Sequence, residues 1–163
     1  TTMSDPYDRP CVSSLVPIAE HPGLFPVGRL DADTTGLLIL TNDGETANRI
    51  MHPRNEIWKT YEAEINIAIS EEKIKRLREG VDIGGYITKP AIVKLLKQTQ
   101  HASLLEVSIC EGKNRQIRKM FKAVGARVTA LERKSIGEVS LGRTHTGTYR
   151  KLTQKEIDYL KNC

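Results

Sequence analysis

One stretch limits the fold more than any other. From position 57 to 69 the residues Ile57, Lys59, Tyr61, Ala63, Ile65, Ile67 and Ile69 fall on one side of an extended chain. A strand patterned this way has one apolar face and needs flanking strands and a covering layer. Further strands are expected at 25–30, 36–40, 90–97, 103–110, 127–133 and 136–141. The segment 36–40 is nearly all apolar, so it is expected to be buried on both faces.

Helix signals are few and unevenly spaced. Asn42-Asp43-Gly44 is a turn or helix start, and 45–51 follows as a short helix. Ser70-Glu71-Glu72 opens a second helix, which Gly80 closes. Asn114 is expected to cap a third that ends at Gly125. Thr153-Gln154-Lys155-Glu156 is a capping box for a last helix carrying Ile157 and Leu160. Gly84-Gly85 marks a tight turn. The lead-in to about His21 is expected to be largely irregular, with turn chemistry at Ser4-Asp5-Pro6 and Asp8-Arg9-Pro10. Strands and helices do not alternate regularly, which argues against a parallel doubly wound sheet. The expected class is α+β, with a mainly antiparallel mixed sheet flanked by helices.

A chain of 163 residues suits one domain whose core needs no metal or disulfide staple. No apolar run of about 18 residues is present, so no membrane span is expected. No signal-peptide pattern is visible. Cys11, Cys110 and Cys163 are odd in number and far apart, which fits free thiols in a reducing compartment. His21, His52, His101 and His145 are scattered, so no protein-built metal site is expected. The expectation from these features is a soluble cytoplasmic protein, and a monomer is expected beside it. The net charge of +5 is modest, and its placement says more than its size.

Two segments concentrate chemistry. In the helix near 114–124, Ile117, Met120, Phe121 and Val124 form an apolar stripe, with Arg115, Arg118, Lys119 and Lys122 on a neighbouring face. Such a basic flank is either a solvated surface or a phosphate-binding face. Glu111-Gly112-Lys113 precedes it, and free amides at a helix start can also hold a phosphate. The second segment, VGRLDADTTGLLILTNDG at 27–44, crowds Arg29, Asp31, Asp33, Thr34 and Thr35 between apolar runs, so these residues belong on a loop. Three readings stay open from spacing alone. The aspartates could simply cap turns. Asp31, Asp33 and Asp43 could hold Mg²⁺ for phosphoryl chemistry. One carboxylate could act as a nucleophile or charge stabiliser beside an arginine.

A resemblance narrows these choices. GRLDADTTGLLILTNDG (28–44), KTYEAEI (59–65), EGKNRQIRKMF (111–121) and GTYRKLTQKEI (147–157) resemble, in order, motifs of ribosomal-RNA pseudouridine synthases of the RsuA/RluB group. The resemblance implies a pseudouridine synthase-like catalytic domain. It implies cofactor-free isomerisation of a uridine in ribosomal RNA, with the large subunit slightly favoured over the small. Asp31 would be the nucleophile or stabilising carboxylate, attacking either base or sugar. Arg118 would pair with Asp31, because burial under a base favours the neutral acid and a guanidinium reverses that preference. Tyr61 would lie against the uracil and relay the proton lost from carbon 5, Ile117 would pack near the base, and Arg29 would hold open the RNA where the uridine leaves its stack. Lys113, Arg115, Lys119 and Lys122 are candidate phosphate contacts, while Asp33 and Asp43 are expected to be structural. The alternatives are Mg²⁺-dependent phosphotransfer using the Asp31/Asp33/Asp43 cluster, and an RNA-binding module without chemistry. Family members open with a small helical RNA-binding module and a strand containing Lys-Pro. This chain opens at TTMSDPYDRP, so 1–163 is expected to be a fragment or truncated form lacking both. Trp58 stands where the family more often has a polar or aliphatic residue, and packing is its expected role.

Overall fold

The computed structural model describes residues 1, 11–16 and 20–163. The turns expected at Ser4-Asp5-Pro6 and Asp8-Arg9-Pro10 lie outside the described residues. The described elements are β1 (Phe25–Pro26), β2 (Thr35–Gly36), β3 (Leu40–Thr41), α1 (Gly44–Met51), β4 (Lys59–Ile65), α2 (Glu71–Glu79), β5 (Ile92–Gln98), β6 (Ser103–Ile109), α3 (Gln116–Ala123), β7 (Val128–Ile136), β8 (Val139–Ser140) and α4 (Gln154–Asn162), with short 3₁₀ turns at Val12–Leu15 and Pro53–Asn55.

The alternating stretch becomes β4, the central strand of a mixed sheet ordered β2-β7-β4-β6-β5, with β8 against β7. It pairs antiparallel with β6 and β7 along its whole length. Every pairing in this sheet is antiparallel except β2 with β7. The α+β expectation therefore holds. On the inner face Ala63 and Ile65 are completely buried. Leu105, Val107 and Leu131 continue that face, and Ile74 and Leu77 of α2 with Ile117, Met120 and Phe121 of α3 cover it. Burial of each large side chain contributes roughly 1.5–3 kcal/mol. A second cluster gathers Val27, Ile39, Ala47, Ile50, Ile57, Ile136, Val139 and Leu160 around α1 and α4.

Four expected boundaries move. The apolar run at 36–40 is not one strand. Thr35–Gly36 pairs with β7, while Leu40–Thr41 pairs antiparallel with β1. An apolar run signals burial but not which neighbour supplies the ladder. The strand expected at 25–30 is only Phe25–Pro26, because its partner β3 is equally short. β7 extends to Ile136, leaving β8 as a two-residue return. Asn114 does not cap α3. Arg115 occupies the cap position in a left-handed conformation (φ 51°, ψ 35°), with no side-chain cap bond.

Other caps follow the sequence. Asp43 accepts hydrogen bonds from the Glu45 and Thr46 amides at 3.0 and 3.1 Å. Thr153 and Glu156 form the capping box of α4. The Glu156 carboxylate also takes Arg150 Nη1 and Nη2 at 2.8 and 2.6 Å, and this ion pair is the main cause that lowers its pKa to about 2. Arg150 donates as well to the Ser140 carbonyl at 2.9 Å, fastening the approach to α4 onto β8.

Two stability predictions follow from these contacts. Gly36 has φ +104°, and a Cβ there would lie 2.3 Å from the Arg133 carbonyl oxygen. Gly36→Ala should lower stability by about 2–4 kcal/mol in a urea titration; an unchanged midpoint would show that the strand can shift to make room. Glu156 has a depressed pKa, so its contribution is complete above 4.5 and is lost as pH falls towards 2. Glu156→Gln should therefore melt below the parent at neutral pH, with the gap closing across that acid range. A gap independent of pH would contradict the ion pair.

Candidate active site

The acidic loop is an excursion between two fastened ends. At its base the Val27 amide donates to the Ile39 carbonyl at 2.8 Å, beside the β1–β3 pair. On its far side β2 lies on β7, and the Leu37 amide donates to the Arg133 carbonyl at 2.8 Å. Inside the loop the Thr34 amide closes a turn onto the Asp31 carbonyl at 3.0 Å. Leu30 exchanges hydrogen bonds with Thr1, amide to Oγ1 at 2.8 Å and terminal amine to carbonyl at 2.9 Å. Asp31 and Asp33 therefore project from a loop held at both ends, with side-chain exposures of 33% and 49%.

The start of α3 meets this loop. Arg115 donates two hydrogen bonds to the Asp33 carboxylate, at 2.9 and 2.8 Å. Its Nη1 also lies 3.7 Å from Asp31 Oδ2. Arg118 does not pair with Asp31 as expected. Its Nη2 donates to the Asp33 carbonyl at 2.5 Å, its Nη1 to the Val128 carbonyl at 3.2 Å, and its Nε lies 3.4 Å from Asp33 Oδ2 without hydrogen-bond alignment. The reason is position. Arg118 sits nearly one turn deeper in α3 with its side chain only 13% exposed, between β7 and the loop backbone. The left-handed Arg115 lies at the mouth and reaches both carboxylates. The Arg115 hydrogen bond is the main cause that holds Asp33 below its ordinary pKa, and Asp33 in turn raises that of Arg115. Asp33, expected to be a turn residue only, is thus the acceptor that brings both arginines to the loop.

A second network supports the approach to α3. Glu111 accepts from the Tyr86 hydroxyl at 2.6 Å, the Lys89 amide at 3.0 Å and Gln116 Nε2 at 2.5 Å. The Gln116 side-chain oxygen takes the Lys113 amide at 2.9 Å, and Gln116 is buried. Gln116 thereby closes the helix start that lacks a side-chain cap. Lys113 Nζ stands 4.4 Å above the Tyr86 ring, a cation–π contact.

The remaining expected site residues separate by depth. Tyr61 is half-buried on β4, facing Arg133 of β7 and Val107 of β6 in register. Ile117 is 3% exposed and belongs to the main core. Arg29 and Lys122 are exposed, and Lys119 is half-buried. Trp58 is 40% exposed, so it is less packed than expected. The three aspartates of the Mg²⁺ alternative are committed elsewhere or apart. Asp43 caps α1, Asp33 is gripped by arginines, and among the described residues no three His, Cys, Asp or Glu converge on one point. Three buried side-chain atoms lack a hydrogen-bond partner among the described residues, Thr34 Oγ1, Arg118 Nε and Arg133 Nη2, and all three belong to the loop or to residues that bond to it.

Comparison with known proteins fits this arrangement. The family described as RNA pseudouridylate synthase matches residues 4–123. The chain is 43% identical over 140 residues to a ribosomal large subunit pseudouridine synthase B of Bacillus subtilis (strain 168), covering 85% of this chain and 57% of that protein. It is 40% identical over 165 residues to an uncharacterized RNA pseudouridine synthase of Mycobacterium tuberculosis (strain ATCC 25618 / H37Rv), covering 98% of this chain and 64% of that one. A crystal structure of a pseudouridylate synthase superposes with a TM-score of 0.86 at 35% identity, covering 94% of this chain and 66% of that chain. The fold is an α+β domain in which an acidic loop is held against an arginine-bearing helix start. The chain belongs to the RNA pseudouridylate synthase family, and it spans somewhat over half the length of the curated relatives it matches.

The left-handed Arg115 yields a test that needs no assay of activity. Arg115→Gly and Arg115→Ala both remove the ion pairs, but only glycine adopts φ 51° without strain. The glycine variant should be more stable than the alanine variant by roughly 1 kcal/mol in denaturant titrations. Equal stability would mean that the backbone relaxes once the guanidinium is gone.

Proposed function

We propose that this chain is the catalytic domain of an enzyme that isomerises a uridine in ribosomal RNA to pseudouridine, with a large-subunit target favoured. The observation that carries the reading is the Asp31 carboxylate, held on a doubly fastened loop 3.7 Å from a guanidinium, in a chain of this family. The naming of similar proteins from Bacillus subtilis and Yersinia pestis as large-subunit enzymes supports the choice of subunit.

The uridine leaves its stack, as base-modifying enzymes require, and Arg29 at the exposed rim holds the RNA open. Asp31 acts on the reacting centre as nucleophile or charge stabiliser. The C1′–N1 bond breaks, the base turns, and carbon 5 bonds to C1′. The carbon 5 proton is then lost, with Tyr61 against the ring and able to relay it, and N1 gains a proton. The rearrangement is internal and needs no redox partner, so no cofactor is invoked. Ile117 forms an apolar wall, and Arg118 acts as a positioning residue through Asp33. Arg115 serves Asp31 and Asp33 first. It shares a phosphate-facing role with Lys113, Lys119 and Lys122. Ribosomal RNA as the partner, a cytoplasmic location and a monomeric state complete the proposal. Among the described residues no helix is long and apolar enough to cross a membrane.

Asp31→Ala should abolish pseudouridine formation, a loss of about 10³-fold or more for removal of a reacting group, while RNA affinity stays within a few-fold. Mass mapping of ribosomal RNA after incubation reads the product and shows which subunit carries it. Near-normal product from the variant would overturn the assignment of Asp31. Turnover abolished by EDTA would favour the Mg²⁺ reading.

A further inference from the structure

Two cations share the sheet face of Tyr61, and among the described residues no carboxylate pairs with either. Tyr61 of β4 and Arg133 of β7 are directly opposed in the ladder, so their side chains leave the same face about 5 Å apart at Cβ. Arg133 is 4% exposed. Its Nε donates to the Leu37 carbonyl at 2.8 Å, while its Nη2 is buried without a hydrogen-bond partner. Lys59 lies two residues before Tyr61 and is half-buried, its Nζ donating to the Ile57 carbonyl at 3.1 Å. Among the described residues neither cation has a carboxylate within 4 Å. Glu132, next to Arg133 on β7, instead takes Lys134 at 2.8 Å. Burial, and then the charge of Arg133, lower the Lys59 pKa. Two cations sharing a partly desolvated site without a counter-ion reduce stability. Packing alone would be served better by apolar residues.

The reaction proposed above supplies the missing charge. When the C1′–N1 bond breaks, its electron pair stays on N1 and spreads to O2 and O4, so the detached base is an anion until carbon 5 bonds to C1′. Asp31 is itself a carboxylate and cannot stabilise that charge. We propose that Lys59 is a catalytic residue that stabilises the detached uracil anion, with Arg133 as a fixed positive charge behind it. The proposal rests on the isomerase reading. Lys59 is partly exposed and donates directly to a base oxygen. Arg133 is fully enclosed, so it acts through its field and through its hold on Leu37.

The leaving ability of the base tests this. Fluorine at carbon 5 withdraws electrons and makes the base a more stable anion, so less help is needed. Single-turnover cleavage of the glycosidic bond would be followed in the full-length protein, on matched RNAs carrying uridine or 5-fluorouridine. Lys59→Met should slow the uridine reaction by about 10²-fold, the scale of losing one preorganised electrostatic donor. On 5-fluorouridine the loss should be several-fold smaller. Lys59→Arg should recover most of the rate, and RNA affinity should not change. Equal loss on both substrates, or weaker RNA binding with an unchanged single-turnover rate, would overturn the role; the latter would make Lys59 a phosphate contact. If Lys59→Met does not fold, the same substrate ratio measured for Lys59→Gln and Arg133→Lys decides. Wild-type protein that forms no pseudouridine would defeat the isomerase reading itself, whereas a shortfall confined to the variants would defeat only this proposal.

Discussion

The candidate site depends on a short parallel contact between the loop strand and β7. Thr35 and Gly36 lie against Glu132 and Arg133, the Leu37 amide donates to the Arg133 carbonyl, and the Arg133 side chain returns a hydrogen bond to the Leu37 carbonyl. One residue of β7 thus holds the loop through backbone and side chain together. The contact requires a glycine at 36, because a side chain there would collide with the strand it joins. Without it the loop would lose its backbone anchor to the sheet on the far side of Asp31.

Two apolar clusters meet around this contact. The larger one fixes α3 against β4, β6 and β7, and so sets where Arg115 and Arg118 begin. The smaller one holds Val27 and Ile39, the residues at the two ends of the loop, against α1 and α4. Asp33 links the two halves electrostatically, since it belongs to the loop but is gripped from α3. Exposed ion pairs of this kind add little to stability. Their value here is geometric, because they fix the distance between a carboxylate and a guanidinium.

Much of this was legible in the sequence where a pattern had one physical solution. The alternation at 57–69 gave the central strand, though only Lys59–Ile65 carries the ladder. The Asp43 and Thr153 caps, and the apolar stripe of α3, also followed from spacing. What stayed hidden depends on contacts between distant residues. GLLIL reads as buried, but nothing local shows that it divides between two partners. Arg115 and Arg118 stand three residues apart on one helix, yet which carboxylate each would take was set by the left-handed turn at Arg115, unusual for a non-glycine residue. Arg118 does reach the acidic loop, but at Asp33 rather than Asp31. The in-register pairing of Arg133 with Tyr61 leaves no local signal at all.

The clasp between Leu37 and Arg133 joins residues 96 positions apart. Contacts of such long sequence separation form late, because the intervening chain must first be closed into a loop. During synthesis the acidic loop emerges before β7 and cannot be anchored to the sheet until that strand has followed. The β5–β6 hairpin can pair while Asp31 is still unplaced. Translation order therefore places the loop only after Arg133 has emerged, and a nascent chain that stops short of β7 carries the acidic segment without its anchor.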